Sequence, residues 1–309
     1  MRKKYSLDNI LKIQILYILI LNRNTMQEQK VAIVTGSSSG IGFETSLELA
    51  KNGFYTYATM RDNKKSKRIE EIAHKCSLPL RVIQLDVNDE KSVNTALETI
   101  TNEKDRVDVL VNNAGFGIFG SLEDLSLEEM KSQFETNFFG VVRVTKKVIP
   151  IMRQNDSKKT IVNISSVGGC IGVPILSAYQ STKFALEGLS ESLYYELQPF
   201  GIRVVLIEPG FIKTNIMNSS MLAKGGSDPE SPYFQLTQKI ERYFRSMINN
   251  GSNATPASTV AKTILNAITT DSPHLRYPVG EDAISILNAR KKLPDNEFVK
   301  LIENQLLSD

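Results

Sequence analysis

Tyr179 and Lys183 are the residues best placed to do chemistry. They lie four apart in Tyr179-Gln-Ser-Thr-Lys183, and residues at that spacing share one face of a helix. A phenol and an ammonium are thereby aimed at one place. Pro174 opposes an earlier helix start and Ser177 is a plausible cap, so Tyr179 is expected in the first helical turn. There the helix dipole and the Lys183 charge both favour phenolate, which predicts a tyrosine pKa below its usual ~10. Such a phenol can give and take protons near neutral pH. The same spacing is common on plain surface helices, so the pair needs corroboration from elsewhere in the chain.

Composition narrows the chemistry. The 309 residues are 41% hydrophobic with a formal net charge of +3, enough for a large core and too little charge for a nucleic-acid footprint. Cys76 and Cys170 are far apart, and His74 and His274 are the only histidines. No metal-ligand spacing and no histidine-based triad emerge, so metal-assisted hydrolysis is excluded and a reducing, cytoplasmic location is expected. Residues 1–29 read as an extension. Arg2, Lys3 and Lys4 precede an apolar stretch from Ile10 to Leu21 that contains Lys12 and Gln14. The stretch is short of the ~18 apolar residues that span a bilayer, and no small-residue cleavage site follows it. A weak anchor, a targeting piece and a start at Met26 compete. The last is preferred, because Met26 leads directly into the first core strand.

The elements that must position the pair come next. Lys30–Thr35 is a β-branched apolar run of strand length, broken by Gly36-Ser-Ser-Ser-Gly40-Ile-Gly42, and Phe43–Asn52 reads as a helix. A strand, a glycine turn and a helix aim main-chain N–H groups and a dipole at a phosphate. The following strand ends in Met60-Arg61-Asp62. An acid at that tip holds a ribose hydroxyl and an arginine accommodates a 2′-phosphate, so Arg61 predicts NADP(H), with Asp62 as the competing NAD(H) signal one residue on. The basic run from Lys64 to Arg68 is read as a solvated face. Asp86 ends a third strand, where it would either face an adenine or cap the next helix. Val107–Val111 is a fourth strand, closed by Asn112-Asn113-Ala114-Gly115.

Taken together, Thr35-Gly36-x-x-x-Gly40-Ile41-Gly42, Asn112-Asn113-Ala114-Gly115 and Tyr179-x-x-x-Lys183 resemble the short-chain dehydrogenase/reductase superfamily, in its motif order from about Lys30 to Thr214. The resemblance implies an α/β fold: one Rossmann-type doubly wound domain over residues 30–280, with a mostly parallel seven-stranded sheet flanked by helices. It implies a substrate loop at about 211–235 and a helical extension over 281–309. It assigns catalysis to Asn137, Ser166 (Ser165 as fallback), Tyr179 and Lys183. Cofactor binding falls to Gly36, Ser37, Ser39, Gly40, Ile41, Gly42, Arg61, Asp86, Val87, Asn113, Ala114, Gly115, Tyr179, Lys183, Pro209, Gly210, Ile212 and Thr214.

The activity implied is hydride transfer between NADP(H) and a carbonyl or alcohol, with Tyr179 as acid/base. Ala58–Asp62, Lys183–Gly188 and Arg276–Gly280 look most like the hydroxysteroid and retinol dehydrogenase subgroup. The uncharged run Gly168–Pro174, with Cys170 as a small wall residue, suits an apolar small-molecule substrate. A 3-oxoacyl thioester reductase and a non-catalytic NADP(H) sensor are the rivals. Lys224–Pro232 is breaker-rich and mobile in expectation, suited either to a substrate lid or to a surface insertion. Pro278 places its strand at a sheet edge, and a homodimer or homotetramer is expected there. Membrane contact is expected only if residues 10–21 serve as an anchor.

Overall fold

The computed structural model of the chain describes residues 29–154, 157–214, 220–249 and 254–307. The apolar stretch from Ile10 to Leu21 and Met26 lie outside these residues, as do positions 215–219 of the expected substrate loop. Among the described residues, no helix is long and apolar enough to cross a membrane.

Seven strands make the main sheet: β1 (Val31–Val34), β2 (Tyr55–Met60), β3 (Leu80–Gln84), β4 (Val109–Asn112), β5 (Lys159–Ile164), β6 (Ile202–Pro209) and β7 (Arg276–Val279). Their order is β7-β6-β5-β4-β1-β2-β3, and every pairing is parallel. The connections carry α1 (Gly40–Lys51), α2 (Lys67–Lys75), α3 (Glu90–Lys104), α4 (Leu127–Phe134), α5 (Gly140–Met152), α6 (Ser177–Leu197), α7 (Phe234–Asn249) and α8 (Ala257–Thr269). After β7 come α9 (Glu281–Lys292) and α10 (Asp295–Leu306).

A parallel sheet needs cover on both faces, which is why β1 is apolar at every position. Val31 and Ile33 pack with residues of α3, α5 and α6. Ala32 and Val34 point the other way, to Leu49 of α1 and to Val260 and Ile264 of α8. From β1 the chain builds outward through β2 and β3, then returns to place β4 on the other side of β1. The carboxyl ends of β1 and β4 therefore part at the switch point where α/β folds take ligands. Pro278 does sit on an edge strand: β7 pairs only with β6, with Pro278 opposite Glu208.

Some boundaries differ from expectation. The first helix begins at Gly40, so the last two glycines of the turn fall within its first turn. Ser177 is the first residue of α6 and not its cap, a position held by Leu176 without a side-chain bond. Tyr179 nevertheless lies in the first turn. Lys224–Pro232 is tied to the segment around α4: the Lys224 N–H donates to Glu129 and the Ser231 hydroxyl to Asp124.

No element was expected where α7 forms, although Leu236, Ile240, Tyr243, Phe244 and Ile248 recur with helical period. Together with α9, α10 and the segment after β5, this helix builds a third apolar cluster above the carboxyl ends of the strands. Ile240 is fully buried in it. Ile240→Ala is expected to cost about 2–4 kcal/mol, read as a lower urea midpoint at unchanged slope.

Candidate active site

The glycine turn is built by close backbone approach. Gly36 and Gly40 have φ of +69° and +60°, a region open chiefly to glycine. A methyl group on Gly36 would fall 2.8 Å from Ala114 Cα, and one on Gly42 would fall 2.5 Å from the Gly36 carbonyl oxygen. Asn113 sews this turn to the end of β4. Its Nδ2 donates to the Thr35 and Gly36 carbonyls at 2.9 and 3.1 Å. In return Thr35 Oγ1 accepts the N–H groups of Asn113 and Ala114. The α1 N-terminus opens onto this hollow, and Thr214 packs against Gly40 from the far side. A backbone-lined cradle at a helix N-terminus fits a pyrophosphate.

Within the turn, Ser37 is a correction. Its N–H donates to the Thr59 carbonyl at 2.8 Å and its hydroxyl to the Val34 carbonyl at 2.9 Å. Both donors are used inside the protein, so Ser37 holds the turn and does not face a phosphate. Ser39 caps α1 with no side-chain bond and is exposed, and Ser38 beside it is half-buried. Ser38 was passed over in the sequence, where three adjacent serines look alike.

At the tip of β2, Met60 is buried and Arg61 exposed. Asp62 Oδ1 accepts the Lys64 N–H at 3.0 Å, capping a short 3-10 turn. Asp86 leaves β3 and accepts the Asn88 N–H, while the cap of α3 is Asp89. The helix-capping alternative for Asp86 therefore drops away. Val87 is buried, with its carbonyl taken by the Arg143 guanidinium.

Tyr179, Lys183 and Ser166 meet below the third apolar cluster. The phenol ring lies between Gly117 and Gly168: methyl groups there would sit 3.8 and 3.3 Å from its edge atoms. Burial pushes the phenol above its ordinary pKa, and hydrogen bonding with Ser166 eases it back. That differs from the expected depression, because desolvation of the buried phenol is the dominant effect on it. Ser166 Oγ accepts the Gly168 N–H at 3.0 Å. Ser165, the fallback, is buried on the other side of the segment, where a methyl on Gly169 would fall 2.7 Å from its oxygen and 3.0 Å from Glu187 Cγ.

Lys183 is only 7% exposed. Its Nζ donates to the Ile164 carbonyl at 2.8 Å and lies 5.8 Å from the Tyr179 ring centre. Burial brings its pKa down to about 8, against the pull of Glu187. Asn137 lies in a π-helical segment, Glu135–Phe139, between α4 and α5. Its side-chain amide is fully engaged, accepting from the Phe116 N–H and donating to the Phe116 carbonyl and to Thr182 Oγ1.

Above these groups is a cavity of about 280 Å³. Its floor is Asn113, Ser166, Tyr179 and Lys183, and its walls are apolar: Phe116, Phe119, Ile171, Val173 and Phe211 from the strand-end segments, Tyr243, Phe244, Ile286, Ile302 and Leu306 from α7, α9 and α10. Pro209, Gly210, Ile212 and Thr214 border it on the β6 side. Asp282, in the first turn of α9, accepts the Phe211 N–H at 2.7 Å and fixes that border. Sequence reasoning missed it, although an acidic pair at a helix start invites such a contact. Cys170 is not a wall residue. Its thiol turns to Glu208 at 3.4 Å, and burial pushes its pKa up to about 12.

Comparison with known proteins agrees with this geometry. The family model for short chain dehydrogenases matches residues 30–224. Human retinol dehydrogenase 8 is 39% identical over 80% of this chain and 80% of its own length. The 3-ketodihydrosphingosine reductase of Bacteroides thetaiotaomicron is 37% identical over 88% of this chain and 95% of its own. A solved short-chain dehydrogenase from Streptomyces avermitilis superposes with a TM-score of 0.76 at 31% identity, covering 92% of this chain and 98% of that one. Similar solved members hold NADH in one case and NADPH in another. The chain is a member of the short-chain dehydrogenase family, an oxidoreductase with a Rossmann-type NAD(P)-binding fold.

Proposed function

We propose that the protein is an NADP(H)-dependent reductase that converts a carbonyl on an apolar substrate to an alcohol. The bound nicotinamide would supply the hydride. The observation that carries this reading is Tyr179, a phenol beside the Ser166 hydroxyl and one helical turn from a buried lysine, at the floor of an apolar cavity. Burial keeps the phenol protonated at neutral pH, so it starts as an acid, the form needed to protonate a carbonyl oxygen. Ser166 already accepts from Gly168, which directs its own hydrogen towards the same oxygen as a preorganised donor.

Lys183 would grip the nicotinamide ribose and favour phenolate once the proton has left. Asn137 has no side-chain atom to spare. Any support it gives to a proton relay therefore comes from its main-chain carbonyl, in a π-helical stretch of the kind often found at working sites. The glycine turn, with Ser38 and Ser39, would hold the pyrophosphate. Asp86 and Val87 would border the adenine, and Asn113–Gly115 with Pro209, Gly210, Ile212 and Thr214 the nicotinamide side.

NADP(H) is favoured over NAD(H) because Arg61 is exposed at the tip of β2 while Asp62 is engaged by Lys64. The two free cysteines fit a reducing, cytoplasmic location. A homodimer or homotetramer belongs to the same reading. The β7 edge and the exposed Phe184 and Tyr195 on α6 are surfaces that a second copy would cover.

Purified protein should oxidise NADPH faster than NADH with at least one of a panel of aldehydes, ketones, steroids, retinal and acetoacetyl thioesters. Charge-assisted phosphate contacts are worth about 1.5–3 kcal/mol, so Arg61→Glu should cut the NADPH preference by roughly 10- to 100-fold. Equal use of both cofactors by the unaltered protein would refute the arginine assignment. Tyr179→Phe should bind NADPH normally and lose turnover by roughly 10²- to 10⁴-fold; undiminished turnover would remove Tyr179 from the chemistry.

A stability measurement probes the buried ammonium directly. Burial holds the Lys183 pKa down at about 8, below its ordinary value of 10.5, so the fold carries the full cost of that charge below pH 8. The cost fades as pH rises from 8 towards 10.5, where the unfolded chain binds the extra proton. Lys183→Met is therefore expected to lose function yet melt a few degrees higher at pH 7, with the advantage shrinking by pH 10. A lower melting temperature at pH 7 would contradict a costly buried charge.

A further inference from the structure

Behind Lys183, away from the cavity, lies a second set of buried charges. Glu187 is one turn further along α6 and 6% exposed, and Glu208 on β6 is 2% exposed. Arg276 on β7 joins them. Its Nε lies 2.9 Å from Glu187 Oε2 and 3.3 Å from Glu208 Oε1, and its Nη2 lies 2.9 Å from Glu191 Oε1. Glu208 also accepts the Cys170 thiol. Glu187 thus faces Lys183 and Glu191 from its own helix, Cys170 from the segment after β5, Glu208 from β6 and Arg276 from β7; Lys291 of α9 acts on Glu208.

The interior count balances: Lys183 and Arg276 are positive, Glu187 and Glu208 negative. Buried charges persist only when paired. Arg276 is shared by both buried carboxylates and by the half-exposed Glu191, so at least one buried negative charge is left over, and the cation on the same helix is Lys183. At four residues apart on α6, Lys183 and Glu187 share one face of the helix, and Gly169 makes room for the carboxylate side chain, because a methyl group there would sit 3.0 Å from Glu187 Cγ.

We propose that Glu187 is a positioning residue, the buried anion that keeps Lys183 charged, and that Arg276 holds Glu187 as a carboxylate. This rests on the reading of Lys183 as the lysine that grips the cofactor. The direction of the electrostatics agrees: burial pushes Lys183 down and Glu187 pulls it up, while Glu187 is itself raised by burial and Glu208 and lowered by the Ser165 hydroxyl and by Arg276.

The experiment is NADPH binding to the full-length protein, followed by nucleotide fluorescence between pH 6 and 10. Affinity should fall on the alkaline side as Lys183 loses its proton. Glu187→Gln should move that fall to lower pH by about one unit, the size expected for one opposite charge within reach. Glu208→Gln removes a like charge from beside Glu187 and should not move the fall downward. Both variants keep the shape of the side chain, and Arg276 retains two of its three carboxylates, so folding should survive; thermal melts verify this.

A merely structural Glu187 would lower the melting temperature and leave the alkaline fall where it was, and that outcome overturns the inference alone. So does a downward shift of equal size in Glu208→Gln. Lys183→Met should abolish the fall. If the fall persists in that variant, or the unaltered protein does not bind NADPH, the assignment of Lys183 itself is at fault, and the two failures are told apart.

Discussion

The buried ammonium of Lys183 is the constraint from which the rest of the site follows. A charge in a low-dielectric setting needs partners that water would otherwise provide. The first is the Ile164 carbonyl, the last residue of β5, at 2.8 Å. To make that bond, α6 must cross the carboxyl ends of the strands closely, and Gly168 and Gly169 supply the room. The helix is then pinned by a polar chain through the core. Asn112 of β4 donates to Asn163 of β5, which donates to Ser190 of α6, at 2.8 Å in both steps. Each amide in that chain is satisfied, so it adds rigidity without the penalty of an unpaired buried group. The phenol of Tyr179, one turn earlier on α6, is located as a consequence.

The parts legible in the sequence were those set by local rules. The β-branched runs of β1 and β4, the glycines of the first turn and the Tyr179–Lys183 spacing each state their own geometry. The edge position of β7 followed from a proline that cannot donate to a second neighbour. What escaped depends on burial and on contacts between distant segments. Ser37 and Ser39 are two residues apart and chemically identical, but one points inward. That the Asn137 side chain clamps Phe116 at both its N–H and its carbonyl was likewise invisible in the sequence. The phenol pKa went the other way for the same reason: sequence reveals a dipole and a lysine, whereas the burial that raises it depends on segments brought together only by the fold. Helix α7 itself was readable by its period. The breaker-rich run before it drew attention to a loop.

Glu187, Glu208 and Arg276 show a different limit. Each is a single charge in an otherwise unremarkable stretch, and only the sheet brings them together. Glu208 did carry a faint signal, a carboxylate following the apolar run Val204–Ile207 in a central strand. A charge in that position must be paired or neutral, but its partner, 68 residues on, could not be chosen from among 37 basic residues by sequence alone.

The site also divides by origin, and the division explains why chemistry was easier to read than substrate. Every group proposed to handle the proton or the cofactor lies within residues 30–224, the span matched by the family model. The roof of the cavity does not: Tyr243, Phe244, Ile286, Ile302 and Leu306 all come from α7, α9 and α10, beyond that span. A roof built from separate helices can change shape without disturbing the strand ends, because its packing against them is apolar and non-directional. The floor has no such freedom, since each of its hydrogen bonds has a fixed partner and distance. Family membership therefore speaks to the floor, where an oxidoreductase of this fold holds its nucleotide, and leaves the substrate to be read from the helices that close over it.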